Sequence, residues 1–304
     1  MSVDVLMKKI SEKGNPSVAG LDPNLKFVPE FIREKYYKQY GKTLQACAAA
    51  VLEFNKGLID ALCDVVPAVK PQSAYYEMYG HAGVAALEET IRYAQEKGMY
   101  VMVDIKRNDI GTTAAAYATA YLGQTEIDGE LVSAFGADAV TVNGYLGTDG
   151  IEPFLKECRK GKMIFSLVKT SNPSSGELQD LKIGDKTVYE TMAAMVEQWG
   201  STAMGEGRYS QVGAVVGATY PEQQQILRQL MPKTFFLVPG YGAQGATAKD
   251  IAHAFDDQGM GAIVNSSRGI MCAYQKSDWT PEQYAEAARK EAIRMRDEIV
   301  AAIR

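Results

Sequence analysis

Eight short apolar runs, each closed by polar or glycine residues and followed by a helix-length amphipathic segment, recur along the 304 residues of the chain. The runs are 18–23, 67–72, 100–106, 138–145, 163–170, 213–219, 235–242 and 261–267. Amphipathic segments cover 45–63, 82–97, 110–122, 150–159, 187–200, 221–229 and 248–257, with a final helix expected over 281–303. Strand-length and helix-length segments in strict alternation are the pattern of βαβ units, in which each helix covers a parallel sheet. An open doubly wound sheet would carry a G-x-G-x-x-G turn after its first strand, where this chain has Gly20-Leu21-Asp22-Pro23. Eight is the number of strands that closes a barrel. The expectation is an α/β fold, a single (β/α)₈ TIM barrel spanning 1–304 as one domain. Extra helices are expected in the connection between the first two strands, 24–66, and in that between the fifth and sixth, 171–211.

Composition narrows the function classes. A chain with 46% hydrophobic and 23% charged residues can bury a sizeable core. The net charge of −5, with no cluster of Lys and Arg, argues against a nucleic-acid surface. A small anion is still allowed, because the local field of a cleft matters more than the sum over the chain. No apolar run reaches the roughly 20 residues of a spanning helix, and no apolar leader follows Met1, so no membrane partner and a cytoplasmic location are expected. Cys47, Cys63, Cys158 and Cys272 are then reduced and read as small buried hydrophobes. The two histidines, His81 and His253, stand outside the strand ends, so no His-based triad and no metal site is expected.

In a barrel of this kind the chemistry gathers where strands end. Asp22 stands after the first run, Lys70 at the second, Asp104 and Lys106 at the third, Ser171 after the fifth and Thr219 at the sixth. The loop Gly240-Tyr241-Gly242-Ala243-Gln244-Gly245 follows the seventh, and Ser266-Ser267-Arg268 the eighth. Asp104 and Lys106 are two apart on a strand and share a face. Charges inside a barrel mouth are costly unpaired, which favours a network with Lys70 and Asp109. Glycines in the seventh loop allow close backbone approach to an anion, and arginine offers a bidentate charge.

The stretch Asp104-Ile105-Lys106-Arg107-Asn108-Asp109-Ile110, with Thr113 four residues beyond Asp109, resembles the signature of the orotidine 5′-phosphate decarboxylases. Ala68-Val69-Lys70-Pro71-Gln72 resembles that family's second-strand lysine, and the run from Val238 to Gly245 its phosphate loop. Asn265-Ser266-Ser267-Arg268 resembles its last-strand arginine site, while the long connections, with Lys169-Thr170-Ser171-Asn172-Pro173, are similar to its longer bacterial subfamily.

The resemblance implies decarboxylation of orotidine 5′-phosphate to UMP in pyrimidine synthesis, without a cofactor. It makes Lys106 the proton donor, sets Asp104 beside the departing carboxylate and lets Lys70 complete the array. Asp22 would bind the ribose, Ser171 the pyrimidine under a lid at 172–180, and Gln244, Gly245 and Arg268 the phosphate. Thr219 is a further substrate-binding candidate. Asp109 and Thr113 would reach the neighbouring site of a homodimer. Three alternatives stay open: Mg²⁺-dependent sugar-phosphate decarboxylases or hexulose-phosphate synthases, which share D-x-K-x-x-D; a Schiff-base aldolase; and a nucleotide-binding sensor without turnover.

Overall fold

Aliphatic and β-branched runs form eight parallel strands: β1 Ser17–Leu21, β2 Ala68–Pro71, β3 Tyr100–Arg107, β4 Ala139–Val142, β5 Met163–Lys169, β6 Val212–Val216, β7 Phe236–Pro239 and β8 Ala262–Ser266. Each pairs with its neighbours in sequence, and β8 returns to pair with β1, so the barrel is closed as expected. The computed structural model describes residues 1–242, 245–276 and 278–303. No helix among them is long and apolar enough to cross a membrane.

Side-chain alternation divides the core into two layers. Val18, Ala68, Tyr100, Met102, Phe165, Leu237 and Ile263 point into the barrel. Their outward neighbours, among them Ala19, Val69, Val101, Val103 and Val264, pack under the surrounding helices. Helix α1, Ser2–Lys13, is an element that the strand count did not anticipate. Its Val3, Leu6 and Ile10 recur at helical spacing and join the interior layer, closing the N-terminal end of the barrel. The helix is tied there by Ser2 Oγ and the Tyr100 hydroxyl, 2.7 Å apart, and by the Val3 amide, which donates to Gln211 Oε1 at 2.9 Å.

The connection between β1 and β2 holds two helices, Glu30–Tyr40 and Leu44–Leu62, as the sequence suggests. The segment expected as one helix over 248–257 is a single turn, Ala248–Ile251, running into a 3₁₀ turn, Ala252–Ala254. Two small ribbons were not foreseen. Thr125–Ile127 pairs with Glu130–Val132 across Asp128 and Gly129, both at positive φ, and Lys182–Ile183 pairs with Lys186–Thr187. The cysteines are free, but only Cys158 is buried; Cys47, Cys63 and Cys272 are half-buried on the helical layer, which corrects the expectation for those three.

If α1 is part of the cooperative core, Leu6→Ala should destabilise the protein by about 2–5 kcal/mol, as for other buried Leu truncations. Urea unfolding monitored by circular dichroism measures this, and a change under about 0.5 kcal/mol, the size of a surface effect, would place α1 outside the core.

Candidate active site

At the C-terminal mouth of the barrel one carboxylate collects the polar groups of three adjacent strands. Asp104 Oδ2 accepts from Lys70 Nζ at 2.8 Å and from Gln72 Nε2 at 2.9 Å. Its Oδ1 accepts from Lys106 Nζ at 2.6 Å and from the Thr141 hydroxyl at 2.7 Å. Burial alone would raise the Asp104 pKa, but the Lys70 and Lys106 charges and their hydrogen bonds outweigh it and hold the carboxyl well below the usual range. Burial likewise works to lower the Lys70 pKa, and the charges of Asp104 and Asp22 reverse it, so Lys70 is held above its ordinary value.

The ladder between β3 and β4 explains how the cluster is aimed. Val103 pairs with Val140 and Arg107 with Val142, so Asp104, Ile105 and Lys106 stand opposite Thr141 alone. The surplus residues form a bulge, a device that redirects side chains beside active sites. Lys106 sits in it at φ +47°, in the left-handed region that costs a side-chain-bearing residue about 1–2 kcal/mol. The Thr141 hydroxyl fills the gap in the ladder: it accepts the Lys106 amide at 3.0 Å while donating to Asp104. Lys106 remains 44% exposed in its side chain, so its ammonium reaches the mouth, whereas Lys70 is buried.

Other expected residues ring this cluster. Asp22 follows β1, and its Oδ1 is buried with no hydrogen-bond partner among the described residues. Asn265 Oδ1, on β8 beside β1, is in the same condition. Buried unsatisfied acceptors at strand ends are suited to a polar ligand. Ser171 lies beside the end of β6, where the Thr219 hydroxyl donates to the Ser171 carbonyl at 3.4 Å. That approach needs Gly217, since a Cβ there would stand 2.9 Å from the Ser171 Cα.

After β7, Gly242 and Gly245 adopt φ of +71° and +92°, and the Gly245 amide donates to the Gly242 carbonyl at 3.0 Å. Arg268 is exposed at the start of the short helix Arg268–Met271. Gln244 lies outside the described residues.

Asp109 does not join the cluster within one chain. Its Oδ1 accepts the neighbouring Ile110 amide at 2.8 Å, and Thr113 faces solvent on the helix Gly111–Tyr121. Gln72 and Thr141 are partners of Asp104 that the sequence motifs do not single out. Thr141 was readable as the inward polar position of an apolar run, and Gln72 as the residue closing its own. Among the described residues no group of three or more His, Cys, Asp and Glu is arranged to hold a metal ion. His81 and His253 are exposed, on the helix Gly80–Glu96 and the 3₁₀ turn Ala252–Ala254, and neither bonds to the Asp104 cluster.

The left-handed Lys106 yields a direct test. Lys106→Gly and Lys106→Ala both delete the ammonium, but only glycine fits φ +47° without strain. The glycine variant should be more stable by about 1 kcal/mol in urea unfolding, a reversal of the usual strand order. Equal stabilities, or a more stable alanine variant, would show that the backbone is not strained there.

Comparison with known proteins agrees with this geometry. The sequence model of the orotidine 5′-phosphate decarboxylase / HUMPS family matches residues 47–279. The orotidine 5′-phosphate decarboxylase of Rhodopirellula baltica is 44% identical over 95% of this chain and 96% of its own length. That of Clostridium acetobutylicum is 40% identical over 98% of this chain and 99% of its own. Among solved structures, the OMP decarboxylase of Leishmania donovani is 32% identical, covering 97% of this chain and 99% of that one at a TM-score of 0.73. With Lys70, Asp104 and Lys106 joined at one barrel mouth and similarity running nearly end to end, this chain belongs to the orotidine 5′-phosphate decarboxylase family.

Proposed function

We propose that the chain converts orotidine 5′-phosphate to UMP and carbon dioxide in pyrimidine synthesis, as a cytoplasmic homodimer that uses no cofactor. The observation that carries the reading is the buried Asp104 carboxylate, hydrogen-bonded at once to Lys70 and Lys106 at the barrel mouth.

The chemical difficulty is where the electrons go. When the bond between C6 and the carboxylate breaks, its pair stays on C6 in the plane of the ring, where the π-system cannot spread it. A preorganised cation is then the means of stabilising the developing charge. Lys106, held by Asp104 yet open to the mouth, stands where it can do so and can pass a proton from Nζ to C6 as carbon dioxide leaves. The neutral amine regains its proton from solvent. Asp104 lies beside the departing carboxylate and keeps Lys106 in place, while Lys70 balances the charge. Asp22 binds the ribose and Ser171 the pyrimidine. Thr219 supports Ser171. Arg268, Gln244 and the loop of Gly242 and Gly245 take the phosphate, at the common phosphate site of barrels.

The dimer is supported by what one chain leaves undone. Asp109 makes no contact with either lysine of its own chain, and Thr113 is exposed beside it. Next to them Ile110, Leu146 and Tyr145 are exposed, the last at 75%, and such a patch calls for a partner. A second copy related by a two-fold axis would receive Asp109 and Thr113 and return its own.

Two measurements test this reading. Orotidine 5′-phosphate absorbance should fall on mixing with the wild-type protein in EDTA and stay constant with Lys106→Ala; turnover only after Mg²⁺ is restored would favour the sugar-phosphate chemistry. For the dimer, Lys106→Ala and Asp109→Ala should each be inactive, and mixing them should restore about a quarter of wild-type activity, because half the dimers are mixed and each has one intact site. No recovery after verified subunit exchange would reject a shared site.

A further inference from the structure

Lys169, the last residue of β5, is 0% exposed and takes no part in the cluster around Asp104. Strict alternation would send it toward the barrel axis, like Phe165 and Leu167 before it. A register shift intervenes: Val215 of β6 pairs with Leu167 but Val216 pairs with Lys169, leaving Val168 as a surplus residue. Past this bulge the ammonium lies among groups of the following loop and of the helical layer. It bonds Asp180 Oδ1 at 2.6 Å and Ser175 Oγ at 3.4 Å, and it lies 4.5 Å from the centre of the Tyr220 ring and 5.6 Å from that of Tyr189.

These contacts close the loop 170–180 on itself. Gln179 reinforces them from one residue away, its Oε1 accepting the Thr170 amide at 2.9 Å and its Nε2 donating to Thr170 Oγ1 at 2.8 Å. The Tyr220 hydroxyl bridges back to Ser175 at 3.2 Å. Between the two ends stands Ser171, with its other side fixed by Gly217 and Thr219. A buried ammonium is costly unless paired, so one charge at the root of the loop and one near its end amount to a fastening that favours a single loop geometry. Asp180 is the releasable half, at 44% exposure.

We propose that the Lys169–Asp180 pair is a latch that shapes the 170–180 loop and thereby holds Ser171 against the substrate base, which makes Lys169 a positioning residue for base recognition. The inference rests on the assignment of Ser171 to the pyrimidine made above. Its signature is selective: the latch should matter to a ligand that carries a base and not to one that lacks it.

Calorimetric binding of UMP and of ribose 5-phosphate to Asp180→Asn, Lys169→Met and Ser171→Ala separates the cases. Asp180→Asn should weaken UMP by about tenfold, near 1.4 kcal/mol, and leave ribose 5-phosphate within about twofold. Lys169→Met should show the same selectivity, and if burial of the site prevents that variant from folding, Asp180→Asn decides. Adding Asp180→Asn to Ser171→Ala should cost UMP little more than Ser171→Ala alone. Equal weakening of both ligands would reduce the pair to general structural support, and unchanged UMP affinity would remove the latch; either overturns the proposal. If Ser171→Ala itself leaves UMP binding intact, the base contact is wrong and the proposal fails with it, while turnover of orotidine 5′-phosphate by the wild type would still stand as the separate test of the reaction.

Discussion

The Asp104 carboxylate is the point on which the site turns, because it is buried and yet ionised. Taking a carboxylate out of water is costly, and the cost is met only where donors surround it. Lys70, Gln72, Lys106 and Thr141 supply four of them from three adjacent strands. Each partner is in turn constrained by Asp104: the buried Lys70 would lose its hydrogen-bonded counter-charge without it, and Lys106 would lose the anchor that sets its ammonium at the mouth. The cluster is a mutual arrangement, so its geometry is fixed before any ligand arrives, which is what electrostatic stabilisation of a transition state requires.

Two departures from regular pairing allow a regular barrel to hold this arrangement. The β3–β4 bulge places Asp104 and Lys106 around Thr141, and the β5–β6 shift turns Lys169 toward the loop that carries Ser171. Both occur in the last residues of their strands, beyond the closely packed interior of Tyr100, Met102, Phe165 and Leu237. The lower barrel, closed by α1, can therefore be stable and regular, while the upper rim departs from the ladder where its side chains are needed.

Residues alone indicated the barrel because its signal is repeated: eight apolar runs, each followed by an amphipathic segment, report the same βαβ unit. The strand-end charges were legible for a related reason, since Lys70, Asp104 and Lys106 interrupt apolar runs at their last positions. Lys8 and Lys9 fit a solvated helical face, but the inward stripe of Val3, Leu6 and Ile10 on helix α1 lies outside the strand–helix alternation, which begins at Val18. The ribbons at 125–132 and 182–187 are too short for any period to register. Thr141 is legible as the inward polar position of an apolar run, but its meeting with Asp104 and the placing of Lys169 come from register shifts between strands distant in sequence, which no local pattern encodes. The separation of Asp109 from the cluster is likewise a matter of three-dimensional reach, invisible in the spacing D-x-K-x-x-D.

The charge state of Asp104 tests the account most directly. Its folded pKa lies below the unfolded value, so its contribution to stability is complete above about pH 3.9, the ordinary aspartate value, and is lost as the pH falls through the folded pKa. Lys70 has the opposite sign: its pKa is raised, and its contribution is complete below about pH 10.4 and lost as the pH rises through the folded value. Carbon-13 NMR of the Asp104 carboxyl, assigned by comparison with Asp104→Asn, should show an ionised group whose shift is unchanged as the pH is lowered through about 3.9. A titration midpoint at or above that value would mean that the two lysines do not hold the carboxylate, and the site described here would lose its foundation.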